Sequence, residues 1–438
     1  MAIVEVPRLT APPASEPRGR DTGIDLLRAL CVLGVVVLHG VMVGVTVTES
    51  GPVFANASEG AWWIVPISWA LQVMPVFFVI GGFAGYLAYR RAAERGGTAA
   101  SFVAGRVHRL LRPAALTVGV VGALLAVLSL SSVSDDIVAT AGFRFGQPLW
   151  FLGVFLLCQA LLPALAAAHR RAPVSTLAVL VLASIAVDVA RAMTGIDGIG
   201  FLNLAFVWLT LQQLGFFLAD GTIGRLRRRT VAAAGGAALI ALIVTFVSGV
   251  YSPDLVANIN PPTGALLLVG VVHLSAVSLL RERIARVSRR RTPAAFSAFV
   301  NRRTMTIYLW HMPVLLTMAG LTALVALTTG VMPSEPGSPT WWTERPLWLA
   351  TALVATAFVA VLLGRFENRA APVATTSHRR LRWAVVVGIG AVVLLLVTGT
   401  SVLTAAVAVL AFAAALRLAR RSDEPARREG VADVVRVA

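Results

Sequence analysis

An all-α, polytopic bundle of transmembrane helices is the fold class this sequence predicts, and three observations predict it. The 438 residues are 57% hydrophobic and only 13% charged, where an average soluble domain carries about 25% charged residues. Apolar runs of about 20 residues, the length a helix needs to cross a bilayer, recur along the whole chain. The 38 basic residues are all arginine and cluster between alternate runs, the asymmetry that orients helices in a membrane.

Taken in order, residues 1–20 are polar, rich in Pro and Arg, and read as a disordered cytoplasmic tail. The first apolar run begins too late and lacks the small-residue cleavage site of a signal peptide. Spans are expected at about 24–46, 62–88, 113–132, 148–168, 174–193, 202–219, 230–250, 262–281, 303–329 and 347–365. These make a ten-helix core within a membrane domain at 21–370. The last apolar stretch, about 383–416, has basic flanks at Arg382 and Arg417. It is too long for one helix across a core of about 30 Å. A hairpin turning near Gly399-Thr400 keeps both flanks inside; one long tilted helix is the alternative for this additional segment at 371–416. Residues 417–438 read as a basic cytoplasmic tail.

With the N-terminus inside, only Arg144, Arg191 and Arg345 fall on the outer side. The net charge of +17 is therefore a topology signal and a source of anionic-lipid contacts rather than a nucleic-acid surface. Cys31 and Cys158 lie inside apolar runs and read as small core residues with no disulfide framework. No Cys/His cluster, nucleotide loop or Ser-His-Asp order stands out, so no metal site is expected. The lack of lysine fits a GC-rich bacterial genome.

The chemistry concentrates inside the spans, where each ionisable residue is a functional candidate. Asp25, Arg28 and His39 lie in the first span. Eleven residues separate Arg28 from His39, so at about 100° and 1.5 Å per residue they share one helix face, roughly 16 Å apart. Asp25 sits one turn before Arg28, at ion-pair spacing. Pro75 must kink or break the second span, and Gly81-Gly82 lets a backbone or a ligand approach closely. Arg106, Arg109 and Arg112 recur at i,i+3 and read as an anchor stripe or a phosphate clamp. Trp150 opens the fourth span, and Tyr308 and His311 lie in the ninth, His311 near mid-membrane. Asp188 and Arg191 are expected to pair at i,i+3 in a structural role.

Together these segments resemble membrane-bound acyltransferase family 3, bacterial O-acyltransferases of surface glycans, glycolipids and related products. Arg28 with His39 resembles the family's first-helix pattern of Arg, ten residues, His. Phe77-Phe-Val-Ile-Gly-Gly-Phe83 resembles its Phe-Phe-x-x-Ser-Gly-Phe segment, and Arg109-Leu-Leu-Arg112 its Arg-x-x-Arg loop. Leu149-Trp150-Phe-Leu and Tyr308-Leu-Trp310-His311-Met-Pro313 match two further motifs in the right order. The family serine is Gly81 here. Where many members have Ser-Val-Glu-Glu-Gln, this chain has Gly153-Val-Phe-Leu-Leu, so a carboxylate from that position is missing.

The resemblance implies an acyl-CoA co-substrate, acetyl-CoA or another short acyl donor, and no permanently bound cofactor. Its phosphates would be held by Arg28, Arg106, Arg109 and Arg112, with Asp25 orienting Arg28. His39 would act as general base or acyl relay, and Trp150, Tyr308, His311, Gly81 and Gly82 would line the cavity. The acceptor would be a hydroxyl of an envelope glycan, glycolipid or secreted metabolite. The setting would be a bacterial cytoplasmic membrane with the N-terminus in the cytoplasm. A transporter or flippase of envelope precursors, which also needs intramembrane charge and broken helices, is the alternative.

Overall fold

Asp21 starts the first helix. Its carboxylate accepts the N–H groups of Gly23 and Ile24, two of the donors that a helix start leaves unpaired. The computed structural model describes residues 21–421 except 50, 132, 368 and 371. The tail expected at 1–20 and residues 422–438 of the one expected at 417–438 lie outside the described residues.

Helix α1 spans Thr22–Met42 and passes directly into an antiparallel hairpin, β1 (Val43–Thr48) and β2 (Gly51–Asn56). The first helix therefore ends four residues before the expected boundary at 46. The run Val43-Gly-Val-Thr-Val-Thr48 explains the difference, since β-branched residues and glycine favour an extended chain over a helix. Next come α2 (Ile64–Leu71) and α3 (Met74–Glu94). The break between them falls just ahead of Pro75, which occupies the first turn of α3, where its missing N–H costs nothing.

Helix α4 spans Ala99–Ser129 and starts well before the expected position 113. A reciprocal cap between Thr98 and Ser101 begins it, and Pro113 lies inside it rather than at its start. Then follow α5 (Asp135–Gly146), α6 (Trp150–Arg171), α7 (Pro173–Thr194), α8 (Asn203–Ala219), the single turn α9 (Thr222–Arg225) and α10 (Arg228–Val247). The chain continues through α11 (Ala265–Ser288), α12 (Arg291–Asn301), α13 (Thr304–Thr329), α14 (Pro339–Glu367), α15 (His378–Val397) and α16 (Val402–Ala419). Twelve described segments are long and apolar enough to cross a membrane. The final apolar stretch is two helices that turn at Gly399, whose φ is +77°, a conformation open to glycine.

A tight seam joins α3 to α8. A Cβ on Gly82 would fall on the backbone carbonyl of Gln212, and one on Gly215 would fall on that of Val79. Small residues let two spans approach this closely. Beside the seam, Phe78 stacks on Trp208 at 4.5 Å and Trp150 on Trp208 at 5.4 Å. Helices α7 and α10 are peripheral, whereas α1, α3 and α8 are mostly enclosed. The α15–α16 hairpin packs on α4 and α6, with Phe412 fully buried.

The expected Asp188–Arg191 pair does not form. Asp188 accepts from Asn203 Nδ2 at 2.8 Å, Tyr251 Oη at 2.6 Å and the Gly264 N–H at 2.7 Å. Arg191 instead pairs with Asp197 at 2.8 Å. The carboxylate faces α8 and the loop before α11, where three donors converge, and the guanidinium faces outward. Local spacing permits an i,i+3 pair; partners from other elements decide.

Candidate functional site

One cavity of about 900 Å³ runs beside α1. Arg28, Val32, Val35, His39 and Met42 all face it, as residues spaced three, four and seven apart on a helix should. Arg28 and His39 therefore open on the same space, at the separation their eleven-residue spacing implies.

At one end the cavity is cationic. Arg28, Arg106 and Arg109 line it, joined by Asn301 and Thr304. Asp25 holds Arg28 at 3.5 Å, and the Asp25 backbone carbonyl accepts from Asn301 Nδ2 at 2.7 Å. Arg106 lies over the Phe102 ring at 4.8 Å. Arg112 is not part of the lining: it donates to the carbonyls of Arg369 at 3.0 Å and Ala370 at 3.3 Å. Each i,i+3 step turns a helix position by about 60°, so a third residue lies about 120° from the first. That rotation carries Arg112 off the cavity face.

In the middle, the two neighbouring glycines separate in role. Gly81 lines the cavity, and a Cβ there would meet only the Phe155 ring, at 3.7 Å. Gly82 lies in the α3–α8 seam. Trp150 and Tyr308 line the cavity, and Tyr308 Oη donates to the Pro148 carbonyl at 2.6 Å.

The two histidines are in contact. His39 Nδ1 lies 3.0 Å from the Val35 carbonyl and 3.3 Å from His311 Nε2, and His311 Nδ1 contacts the Tyr308 carbonyl. A carbonyl only accepts, so each Nδ1 carries a proton in the neutral pair. His311 Nε2 is then an acceptor for His39 Nδ1–H, and His39 Nε2 keeps its lone pair. That atom has no hydrogen-bond partner among the described residues, and His39 lines the cavity. His311, 1% exposed, stands behind His39 rather than in the cavity wall. The arrangement is an imidazole facing the cavity and held from behind by a second one.

Beyond His39 the cavity is apolar. Phe143, Phe201, Val256 and Leu396 line it, and its polar groups there are the amides of Gln72, Gln147 and Asn260. Helix α15 supplies Val393, Leu396 and Val397. Sequence reasoning passed over Asn301, Thr304 and the α15 residues. The polar quartet Asn301-Arg-Arg-Thr304 at the start of a span was a usable signal; nothing in an apolar run marks Val393 as cavity-facing.

No curated protein and no solved structure matches the chain. A family model described as an acyltransferase domain does match, over residues 21–365. That stretch contains every motif from Asp25 to Pro313 and most of the chain, leaving α15 and α16 outside it. The protein thus belongs to acyltransferase family 3 and is a multi-pass membrane acyltransferase.

Proposed function

We propose that the protein moves an acyl group, acetyl or another short chain, from acyl-CoA to a hydroxyl of an envelope glycan, glycolipid or secreted product. The setting proposed is a bacterial cytoplasmic membrane, with the arginine-rich end of the bundle in the cytoplasm. One observation carries the reading: a single cavity joins three arginines to a histidine. Guanidinium forks match phosphate oxygens bidentately, so Arg28, Arg106 and Arg109 suit the phosphates of CoA. The roughly 16 Å of helix rise from Arg28 to His39 is of the order of an extended pantetheine arm.

In this reading His39 Nε2 takes the proton of the acceptor hydroxyl as its oxygen attacks the thioester carbonyl. The tetrahedral intermediate collapses with cleavage of the C–S bond, and the CoA sulfur leaves with the proton returned by His39. The imidazolium formed meanwhile donates from Nδ1 to His311 Nε2 and the Val35 carbonyl. The family serine is replaced by Gly81, so the step is written without a hydroxyl there.

The test is purified protein in nanodiscs with radiolabelled acetyl-CoA and cell-envelope extract. Wild type should label an acceptor, and His39→Ala should abolish labelling while CoA still binds. Undiminished transfer by His39→Ala would remove the base assignment.

A further inference from the structure

Three arginines lie at the arginine-poor end of the bundle, and two have ordinary settings. Arg191 is in a surface pair with Asp197, and Arg144 is half-buried beside a small pocket. Arg345 is different. It lies in α14, is 6% exposed, and forms no ion pair among the described residues. Its guanidinium sits between two indole rings, 4.5 Å from the Trp341 centroid and 4.1 Å from that of Trp348. Nη2 donates to the backbone carbonyls of Gly40, Val41 and Val43.

These carbonyls close α1. The last carbonyls of a helix lack intrahelical donors and form the negative end of its dipole, so a buried cation there is matched without a carboxylate. His39 immediately precedes Gly40, in the same last turn. Helix α14 closes on that turn a second time, because a Cβ on Gly40 would lie 2.6 Å from a Leu349 methyl. Burying a guanidinium away from water is costly, and packing alone would be served by an apolar side chain. What the cation adds is a fixed end to α1 where the chain turns into β1. The His39 ring must hold two distances there, 3.0 Å to the Val35 carbonyl and 3.3 Å to His311 Nε2.

We propose that Arg345 is a positioning residue for His39: by tying the Gly40, Val41 and Val43 carbonyls to α14 between Trp341 and Trp348, it holds the imidazole against His311. The catalytic part of this inference rests on His39 as the base. The clamp itself can be read without turnover.

The experiment compares wild type with R345M and R345K in nanodiscs. It measures thermal unfolding, binding of radiolabelled CoA, acetyl transfer to envelope extract, and the carbethoxylation rate of His39 by peptide mass spectrometry. R345M should bind CoA and show a wild-type acetyl-CoA KM, with kcat lowered on the order of 100-fold, the scale of a misplacement near 1 Å. Its His39 modification rate should differ severalfold from wild type. R345K should recover part of both, since an ammonium reaches the same carbonyls without the planar fork. Wild-type kcat and wild-type His39 reactivity in R345M overturn the proposal. So does a parallel loss of CoA binding and transfer, which marks a general role in folding. Should R345M not fold, R345K decides: a lowered kcat at unchanged KM supports positioning, and wild-type kcat overturns it. If the wild-type protein transfers nothing, the acyl-CoA reading fails separately. The His39 modification rates then decide the clamp alone, and equal rates in wild type and R345K overturn it.

Discussion

The two ends of the cavity differ in every property that decides recognition. The Arg28 end has three guanidiniums, a carboxylate that orients one of them, and polar side chains from Asn301 and Thr304. The far end has aromatic and aliphatic walls with amides as its polar groups. The cationic end is built from α1, α4 and the α12–α13 junction, all inside the stretch that matches the acyltransferase domain. Part of the apolar end comes from α15, which lies outside it. The charged end of the cavity thus lies within the stretch that matches the family, while the wall of the other end draws on a helix beyond that stretch.

Substitutions along the cavity can break this contrast. The largest effect is expected at the boundary between the two ends, where His39→Ala should lower acetyl transfer by about 10²- to 10⁴-fold, the usual contribution of a positioned general base. Transfer of radiolabel from acetyl-CoA at saturating donor reads it.

At the cationic end, Arg109→Gln should raise the acyl-CoA KM by about tenfold or more. A hydrogen bond to a charged group is worth about 1.5–3 kcal/mol, and each 1.4 kcal/mol is a factor of ten in binding. Arg112→Gln should leave that KM unchanged and lower the unfolding temperature, because its partners are the carbonyls of Arg369 and Ala370. Equal effects on KM from both substitutions would erase the distinction between the cavity-facing and the rotated arginine.

The adjacent glycines sharpen the comparison between seam and cavity. Gly82→Ala must displace the Gln212 backbone and should destabilise by about 1–3 kcal/mol, as overpacking does. The Cβ added by Gly81→Ser meets only the Phe155 ring, and the substitution should change stability by less than about 0.5 kcal/mol. Thermal unfolding in nanodiscs separates them. The apolar end is probed separately. Val393→Trp should raise the KM of the acceptor by about tenfold, the lower end of what one methylene is worth in an apolar pocket, with no change in the acyl-CoA KM. A shift in the donor KM instead would mean that the two ends are not separate.

Much of the cationic end is legible in the amino-acid sequence. Arg28 and His39 share a face because helix geometry alone dictates it, and Asp25 reaches Arg28 for the same reason. The stripe of three arginines is legible as a pattern, but only α4 packed in place shows which two meet the cavity. Asp188 illustrates the limit from the other side. Its donors come from residues 203, 251 and 264, and no local rule ranks them above Arg191. The His39–His311 contact spans 272 positions of chain, so spacing can mark both histidines as unusual and says nothing of their meeting.

Local periodicity and the cost of charge in an apolar layer account for the features legible along the chain. Helical spans, the kink ahead of Pro75, the shared face of Arg28 and His39 and the turn at Gly399 all follow from neighbours a few residues apart. Where those faces meet depends on the packing of distant helices. The His39 tautomer is set by carbonyls and a histidine brought together from α1 and α13, and the end of α1 is held by an arginine on α14. In an apolar environment any unpaired polar group is expensive. Buried groups therefore take whichever partner the packing brings within reach, however far away it lies in the chain.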